Sequence, residues 1–109
     1  MAYDKILAQR IREILGDRPE IVEKVMFGGV GFMLSGNMAC GVHKDSLIVR
    51  VGSEQYENAL GQPHARPFDI TGRPMKGWVM VASEGCREAT ELRKWVHQGV
   101  AFALSLPPK

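Results

Sequence analysis

The sequence predicts a single α+β domain in which helices pack on one face of an antiparallel sheet. Helical periodicity is found towards both ends of the chain, whereas short apolar runs separated by turn residues fill the middle. Strands that are segregated from the long helices are typical of α+β folds rather than alternating α/β folds. The length of 109 residues suits one hydrophobic core. We therefore expect one domain over residues 1–109.

The first helix is predicted over residues 3–15. Its apolar side chains recur at helical spacing and form one stripe: Leu7, Ile11, Ile14 and Leu15. Asp4 is a suitable N-cap, because its carboxylate can accept hydrogen bonds from the first free N–H groups. Gly16 readily adopts the left-handed conformation that ends helices.

Four apolar runs in the first half of the chain predict a meander of antiparallel strands. The runs cover residues 25–27, 30–34, 38–42 and 47–51. Gly36 and Asn37 both tolerate positive φ and predict a two-residue hairpin turn, and residues 44–46 predict the next turn. In the last run, Leu47, Val49 and Val51 alternate with Arg50, so the arginine points away from the core.

The region that follows is predicted to contain a short helix and two strands. Ser53 can cap a helix over residues 53–60, and Gly61 can end it. Prolines then interrupt the chain, with a brief strand predicted at residues 68–70 between them. A second strand is predicted at residues 78–82, followed by a turn at residues 83–85.

A long helix is predicted from about residue 87 to residue 106. Its apolar stripe consists of Leu92, Trp95, Val96, Val100, Ala103 and Leu104. Phe102 lies on another part of the helix circumference, so the helix is expected to bury two faces. The second face packs either within the same domain or against a second copy of the chain.

Composition excludes several classes of protein. Fourteen lysines and arginines against twelve acidic residues give a net charge of +2, which is too small to attract polyanions without a local cluster. Two isolated cysteines form no disulfide framework. No apolar run approaches the ~18 residues of a membrane span, and no signal pattern opens the chain. A cytoplasmic protein with no membrane contact is expected.

A glycine-rich segment at residues 27–31 is the first candidate ligand site. It contains Gly28, Gly29 and Gly31, and glycine loops can present N–H groups to phosphate. The segment lacks both the third glycine of the dinucleotide fingerprint and the Lys-Ser/Thr pair of the P-loop. Glycines between strands also serve close backbone packing, and this structural explanation is favoured.

The second candidate site is a locally basic stretch around Arg66, Arg73 and Lys76, with Trp78 close by as a stacking surface. Cations interleaved with an aromatic residue can bind nucleic acid or an acidic partner. A solvated loop that keeps the edge of the sheet soluble also explains these residues, and this structural explanation is favoured.

The histidines and cysteines provide no recognisable catalytic set. His43, His64 and His97 match no metal-ligand spacing, so no metal site is predicted. Cys40 lies in an apolar run and is expected in the core. Cys86 is placed near the start of the last helix, where the helix dipole would lower the pKa of its thiol. No base lies near it in sequence, so an unreactive cysteine is favoured. We predict no enzyme activity.

Two blocks of sequence resemble the N-terminal domain of the TfoX/Sxy family. They are residues 26–31 (MFGGVG) and residues 72–79 (GRPMKGWV), with residues 36–38 and 47–51 between them in the matching order. The resemblance covers nearly the whole chain. It implies an α+β fold similar to secretion chaperones, and it brings with it no catalytic residue and no cofactor.

The best-known members of that family regulate natural competence, as co-activators that act with the cyclic-AMP receptor protein. They carry a C-terminal domain of helix-hairpin-helix type that these 109 residues lack, so the resemblance leaves direct nucleic-acid binding open. The function expected is a non-enzymatic regulatory module. It would act through contacts with another protein, such as a transcription regulator, and a homodimer is the preferred oligomeric state. The alternative is a module that binds a phosphate ligand or nucleic acid through the glycine segment and the basic loop.

Overall fold

The computed structural model describes residues 3–16, 20–26, 29–69 and 76–107. The elements along the chain are α1 (Lys5–Leu15), β1 (Ile21–Met26), β2 (Gly29–Leu34), β3 (Asn37–His43), β4 (Ser46–Arg50), α2 (Tyr56–Leu60), β5 (Ala65–Pro67), β6 (Trp78–Val81), a 3₁₀ turn (Ser83–Cys86) and α3 (Ala89–Leu104). The described strands form one antiparallel sheet in the order β1–β2–β3–β4–β6–β5. This arrangement confirms the predicted α+β fold class.

The helices contribute to one core on one face of the sheet. Alternate strand residues point into this core, and Leu47, Val49 and Val51 do so as predicted. Helix α3 crosses the sheet closely at Gly99, where an added Cβ would collide with the carbonyl oxygen of Ala39. A glycine is therefore required for the helix to approach the strands at this distance.

The first helix begins and ends as the sequence predicts. The Asp4 carboxylate accepts hydrogen bonds from the backbone N–H groups of Ile6 at 2.9 Å and Leu7 at 3.1 Å. Gly16 follows the helix with φ of 69°, and its N–H donates to the carbonyl of Arg12. Both caps satisfy backbone groups that a helix leaves unpaired at its ends.

The turn between β2 and β3 lies one residue earlier than predicted. Leu34 pairs with Asn37, so Ser35 and Gly36 form the turn, with φ of 51° and 86°. Positive φ at both central residues suits the twist of a tight hairpin. Asn37 therefore belongs to β3, where it is buried. The next turn is shorter than predicted, because Ser46 pairs with His43 as the first residue of β4.

Further differences from the sequence predictions concern α2, β5, the 3₁₀ turn and α3. Helix α2 starts at Tyr56 instead of Ser53, and no side chain caps it. The strand predicted at residues 68–70 is found at Ala65–Pro67, where the chain can pair with β6. Residues 83–85, predicted as a turn, belong to the 3₁₀ turn, and Leu104 of the predicted α3 stripe is 57% exposed. Phe27 and Ile70, the ends of two predicted strands, lie outside the described residues.

A second apolar cluster lies on the face of the sheet that is opposite the helices. It contains buried side chains from three strands and from the segment after β5: Met38, Ile48, Met80 and Phe68. Met33 and Trp78 pack against it and are partly buried. We call this side of the sheet the helix-free face. It has an apolar floor of its own, so the sheet is buried on both sides at its centre.

Candidate partner-binding surface

The helix-free face carries positive and aromatic side chains around its apolar floor. The strand residues of this face that are not fully buried are Val22, Lys24, Met33, His43, Arg50, Arg66 and Trp78. None of these residues is acidic, although the chain holds twelve Asp and Glu in total. The described strands therefore present a surface that suits a negatively charged partner.

Arg50 and Trp78 lie side by side at one end of this surface, where β4 ends and β6 begins. They face each other across β4 and β6, and the guanidinium carbon of Arg50 lies 5.1 Å from the centre of the Trp78 ring. The same carbon lies 5.4 Å from the centre of the Phe102 ring of α3. These distances are within the range of cation–π attraction, which holds the arginine in place beside the indole.

Phe102 packs within its own domain. A Cβ at Gly52, which has φ of 87°, would collide with the Phe102 ring, so the ring lies directly on the backbone after β4. The described contacts of Phe102 are with Arg50 and with the backbone at Gly52 of the same chain.

Arg66 and Lys76 lie on either side of Trp78. Arg66 is exposed on β5 opposite Met80, and its Nη2 lies 3.4 Å from the sulfur of that methionine. Lys76 is exposed just before β6, where the carbonyl of the following Gly77 accepts hydrogen bonds from Val51 and Gly52. The structure thus brings Arg66 and Trp78 onto one face and places Lys76 at its end. Arg73 lies outside the described residues.

Trp78 is half-buried and held by two neighbours. Its ring lies 6.1 Å from the ring of Phe68 at an angle of 42°, in addition to the contact with Arg50. Tilted aromatic pairs at this separation are attractive. The indole is therefore held in position before any partner binds.

A shallow cavity of about 220 Å³ lies beside Arg66 on the same face. Its lining includes His43, Lys44 and Arg66, together with Asp45 and Asp69. The two carboxylates offset part of the positive charge at this end of the face. The net positive charge is therefore smaller here than around Trp78.

Gly29 and Gly31 lie within β2 rather than in a loop. An added Cβ at Gly29 would collide with the carbonyl oxygen of Val42, and Gly31 pairs with Gly41 on β3. The neighbouring strand therefore supplies a packing reason for Gly29. Gly28 lies outside the described residues.

Cys86 is a buried thiol whose pKa is raised rather than lowered, in agreement with the unreactive cysteine that the sequence favours. Burial raises its pKa to about 11, and the sulfur contacts the carbonyl oxygens of Ala82 at 3.6 Å and Ser83 at 3.7 Å. The residue lies in the 3₁₀ turn before α3 begins, so the dipole of that helix does not stabilise a thiolate. Burial also raises the pKa of Cys40, in the core, to about 12.

A larger cavity of about 600 Å³ opens beside α3, with His64, Glu84, Glu91 and Trp95 in its lining. A hydrogen bond from its own backbone N–H holds the pKa of Glu84 below its usual value, and Ser83 and His64 add to this effect. Cys86 does not line the cavity, so the thiol, a histidine and a carboxylate do not converge there. In the described part of the chain, no group of histidine, cysteine and acidic side chains could hold a metal ion.

The fold and this surface define a small α+β domain whose basic, aromatic sheet face is left free of helices. The chain belongs to the TfoX N-terminal domain family, whose model matches residues 13–103. The family as a whole is non-catalytic, and membership indicates a regulatory or competence-related role.

Neither a curated protein nor a solved structure matches the chain. Among the helices of the described residues, none combines the length and the apolar character needed to cross a membrane.

Proposed function

We propose that this protein is a non-enzymatic regulatory module that binds an acidic segment of another protein through its helix-free face. The observation that carries the proposal is the Arg50–Trp78 pair, at a ring distance of 5.1 Å, on a face whose exposed strand positions carry cations and no carboxylate. Arginine and tryptophan are the residue types that most often dominate binding energy at protein interfaces. A transcription regulator is the kind of partner that the family membership suggests.

The arrangement suits a protein partner because it combines a fixed aromatic anchor with exposed charges near it. Trp78 is held by Arg50 and Phe68, so little side-chain entropy is lost when a partner covers it. Arg66 and Lys76 are exposed and can steer an acidic segment towards the indole. Binding driven in this way weakens as salt concentration rises.

Charge reversal on this face provides the test. The double variant Arg66→Glu/Lys76→Glu should lose the partner that the wild-type chain captures from a lysate of its own cells. The matched control is Arg93→Glu/Lys94→Glu, which reverses two exposed cations on α3 and should retain the partner. Thermal melts of both variants check that the fold is intact.

A nuclease-treated lysate separates the protein partner from the nucleic-acid alternative. Capture that survives nuclease and is lost only with the Arg66→Glu/Lys76→Glu variant supports the proposal. Capture that disappears with nuclease supports the alternative of nucleic-acid binding. Capture that is equal for both double variants contradicts a role for this face.

A further inference from the structure

Strand β1 forms a long edge of the sheet that no proline or register shift interrupts. It is six residues long and pairs with β2 along its whole length without a register shift. The opposite edge, β5, has only three residues and ends in Pro67, which has no N–H group. Natural sheets usually shorten or interrupt their edges in this way, because a long free edge invites another strand. In the described part of the chain, no strand pairs with the outer side of β1.

The outward backbone groups of β1 can be assigned from the neighbouring contacts. The N–H of Ser35 donates to the carbonyl of Glu20 at 3.2 Å, so residue 20 directs its polar groups towards β2. Successive residues of a strand direct these groups to opposite sides. Ile21, Glu23 and Val25 therefore direct their N–H and C=O groups away from the sheet.

Two side chains of β1 leave apolar surface in water. Val25, on the helix-bearing face, is 76% exposed, and Val22, on the helix-free face, is 59% exposed. Valine is a strong strand former, so the segment favours the extended conformation that an added strand requires. Exposed apolar residues on both faces of one edge strand indicate a site that another strand can cover.

We propose that two copies of this chain associate by antiparallel pairing of their β1 strands, which joins two sheets into one continuous sheet. A two-fold axis at Glu23 sets Ile21 against Val25 of the second copy, and Val25 against Ile21. The three outward residues then exchange about six backbone hydrogen bonds. The exposed Val25 becomes covered on the helix-bearing face, while Val22 lies opposite the aliphatic stem of Lys24 on the other face.

At the contact between the two β1 strands, each Glu23 carboxylate is paired with a cation of its own chain. The pairing brings two Glu23 carboxylates together, which alone would be unfavourable. Each carboxylate, however, accepts hydrogen bonds from Nε and Nη2 of Arg12, at 2.5 and 2.8 Å. On the helix-bearing side, the paired strands therefore place two carboxylates beside two guanidinium groups, and these four charges balance. A second copy brings the same carboxylate–guanidinium pair to the contact, so these charges favour self-association over pairing with an unrelated strand.

The test is the mass of the purified chain by sedimentation across a range of concentrations. The wild-type chain should approach twice its 12.1 kDa as concentration rises. Val25→Pro removes an outward N–H, so dimerisation should weaken by at least about tenfold while the thermal melt changes little. The matched control, Leu104→Lys, changes an exposed apolar residue of α3 and should leave dimerisation unchanged. A wild-type chain that stays monomeric at every concentration overturns the proposal.

Cysteine cross-linking tests the proposed register of the two β1 strands in variants that keep every backbone N–H group of the strand. In the proposed pairing, the Cα atoms of residue 22 and the second copy's residue 24 lie about 4.5 Å apart, within disulfide range. A mixture of Val22→Cys and Lys24→Cys chains should therefore form a disulfide under mild oxidation. Each variant alone should not, because its two cysteines would lie about 8 Å apart. Equal cross-linking in the mixture and in the single variants, or none at all, contradicts this pairing.

Discussion

The side-chain amide of Asn37 donates a hydrogen bond of 2.9 Å to the main-chain carbonyl of Pro107. Asn37 is the first residue of β3 and is only 2% exposed, whereas Pro107 follows the end of α3. The bond ties the last part of the described chain to the β2–β3 hairpin. A buried polar group at this position is stabilising only while its partner is present.

Replacing Asn37 should therefore destabilise the fold. Asn37→Ala removes the hydrogen bond to the Pro107 carbonyl and should lower the free energy of unfolding by about 1 kcal/mol. Urea denaturation at neutral pH measures this loss. The matched control is Asn58→Ala, since Asn58 is exposed and its amide lies 3.5 Å from Gln55. A loss of similar size in both variants would show that burial of the Asn37 amide is not the cause.

The position of this hairpin shows where the sequence alone was insufficient. Both Ser35–Gly36 and Gly36–Asn37 contain residues that tolerate a tight turn, so local preference does not choose between them. The choice depends on burying Asn37 against a carbonyl 70 residues away. The helix α1 was predictable because its stripe and its Asp4 and Gly16 caps are all local signals.

The same contrast applies to the candidate surface. Arg66, Lys76 and Trp78 stand out in the sequence as cations near an aromatic residue. Arg50 does not, because it meets Trp78 only through the pairing of β4 with β6, which lie 28 residues apart at this point. The alternation along β4 predicts that Arg50 points away from the core, but it does not identify the neighbour of Arg50 on the next strand.

The close approach of α3 to the sheet makes Gly99 sensitive to any side chain. Alanine is favoured over glycine within a helix by about 1 kcal/mol, so Gly99→Ala would stabilise an isolated helix. Here the new methyl group meets the Ala39 carbonyl, and we expect a net destabilisation of about 1–3 kcal/mol. Thermal and urea unfolding measure the sign of the change.

Gly61→Ala is the control for this prediction. The nearest atom to a Cβ at Gly61 lies 3.4 Å away, and the residue has φ of −77°. Alanine fits both the space and the conformation, so stability should be unchanged or should rise by up to about 1 kcal/mol. If Gly99→Ala were equally harmless, α3 would not pack against β3 as closely as described.

Arg50 should contribute to stability as well as to binding. Arg50→Ala removes its contacts with the Trp78 and Phe102 rings and should lower the free energy of unfolding by about 1 kcal/mol. The tryptophan emission should shift to longer wavelength because water gains access to the Trp78 indole. The control is Arg93→Ala, since Arg93 is exposed on α3. It should change the free energy of unfolding by no more than about 0.5 kcal/mol and should leave the tryptophan emission nearly unchanged. An unchanged emission in Arg50→Ala would contradict the packing of these rings.

The buried Cys86 thiol should make stability fall at alkaline pH. Its pKa is about 11 in the folded chain and 9.0 when unperturbed, so above pH 9 the unfolded chain loses this proton while the folded chain keeps it. Stability from the protonated thiol is complete well below pH 9, declines by at most about 1 kcal/mol per pH unit between 9 and 11, and levels off above that range. Because other groups also titrate there, the quantity to measure is the difference in unfolding free energy between wild type and Cys86→Ala. That difference should shrink across this interval; a difference independent of pH would mean that the thiol titrates as it does in the unfolded chain.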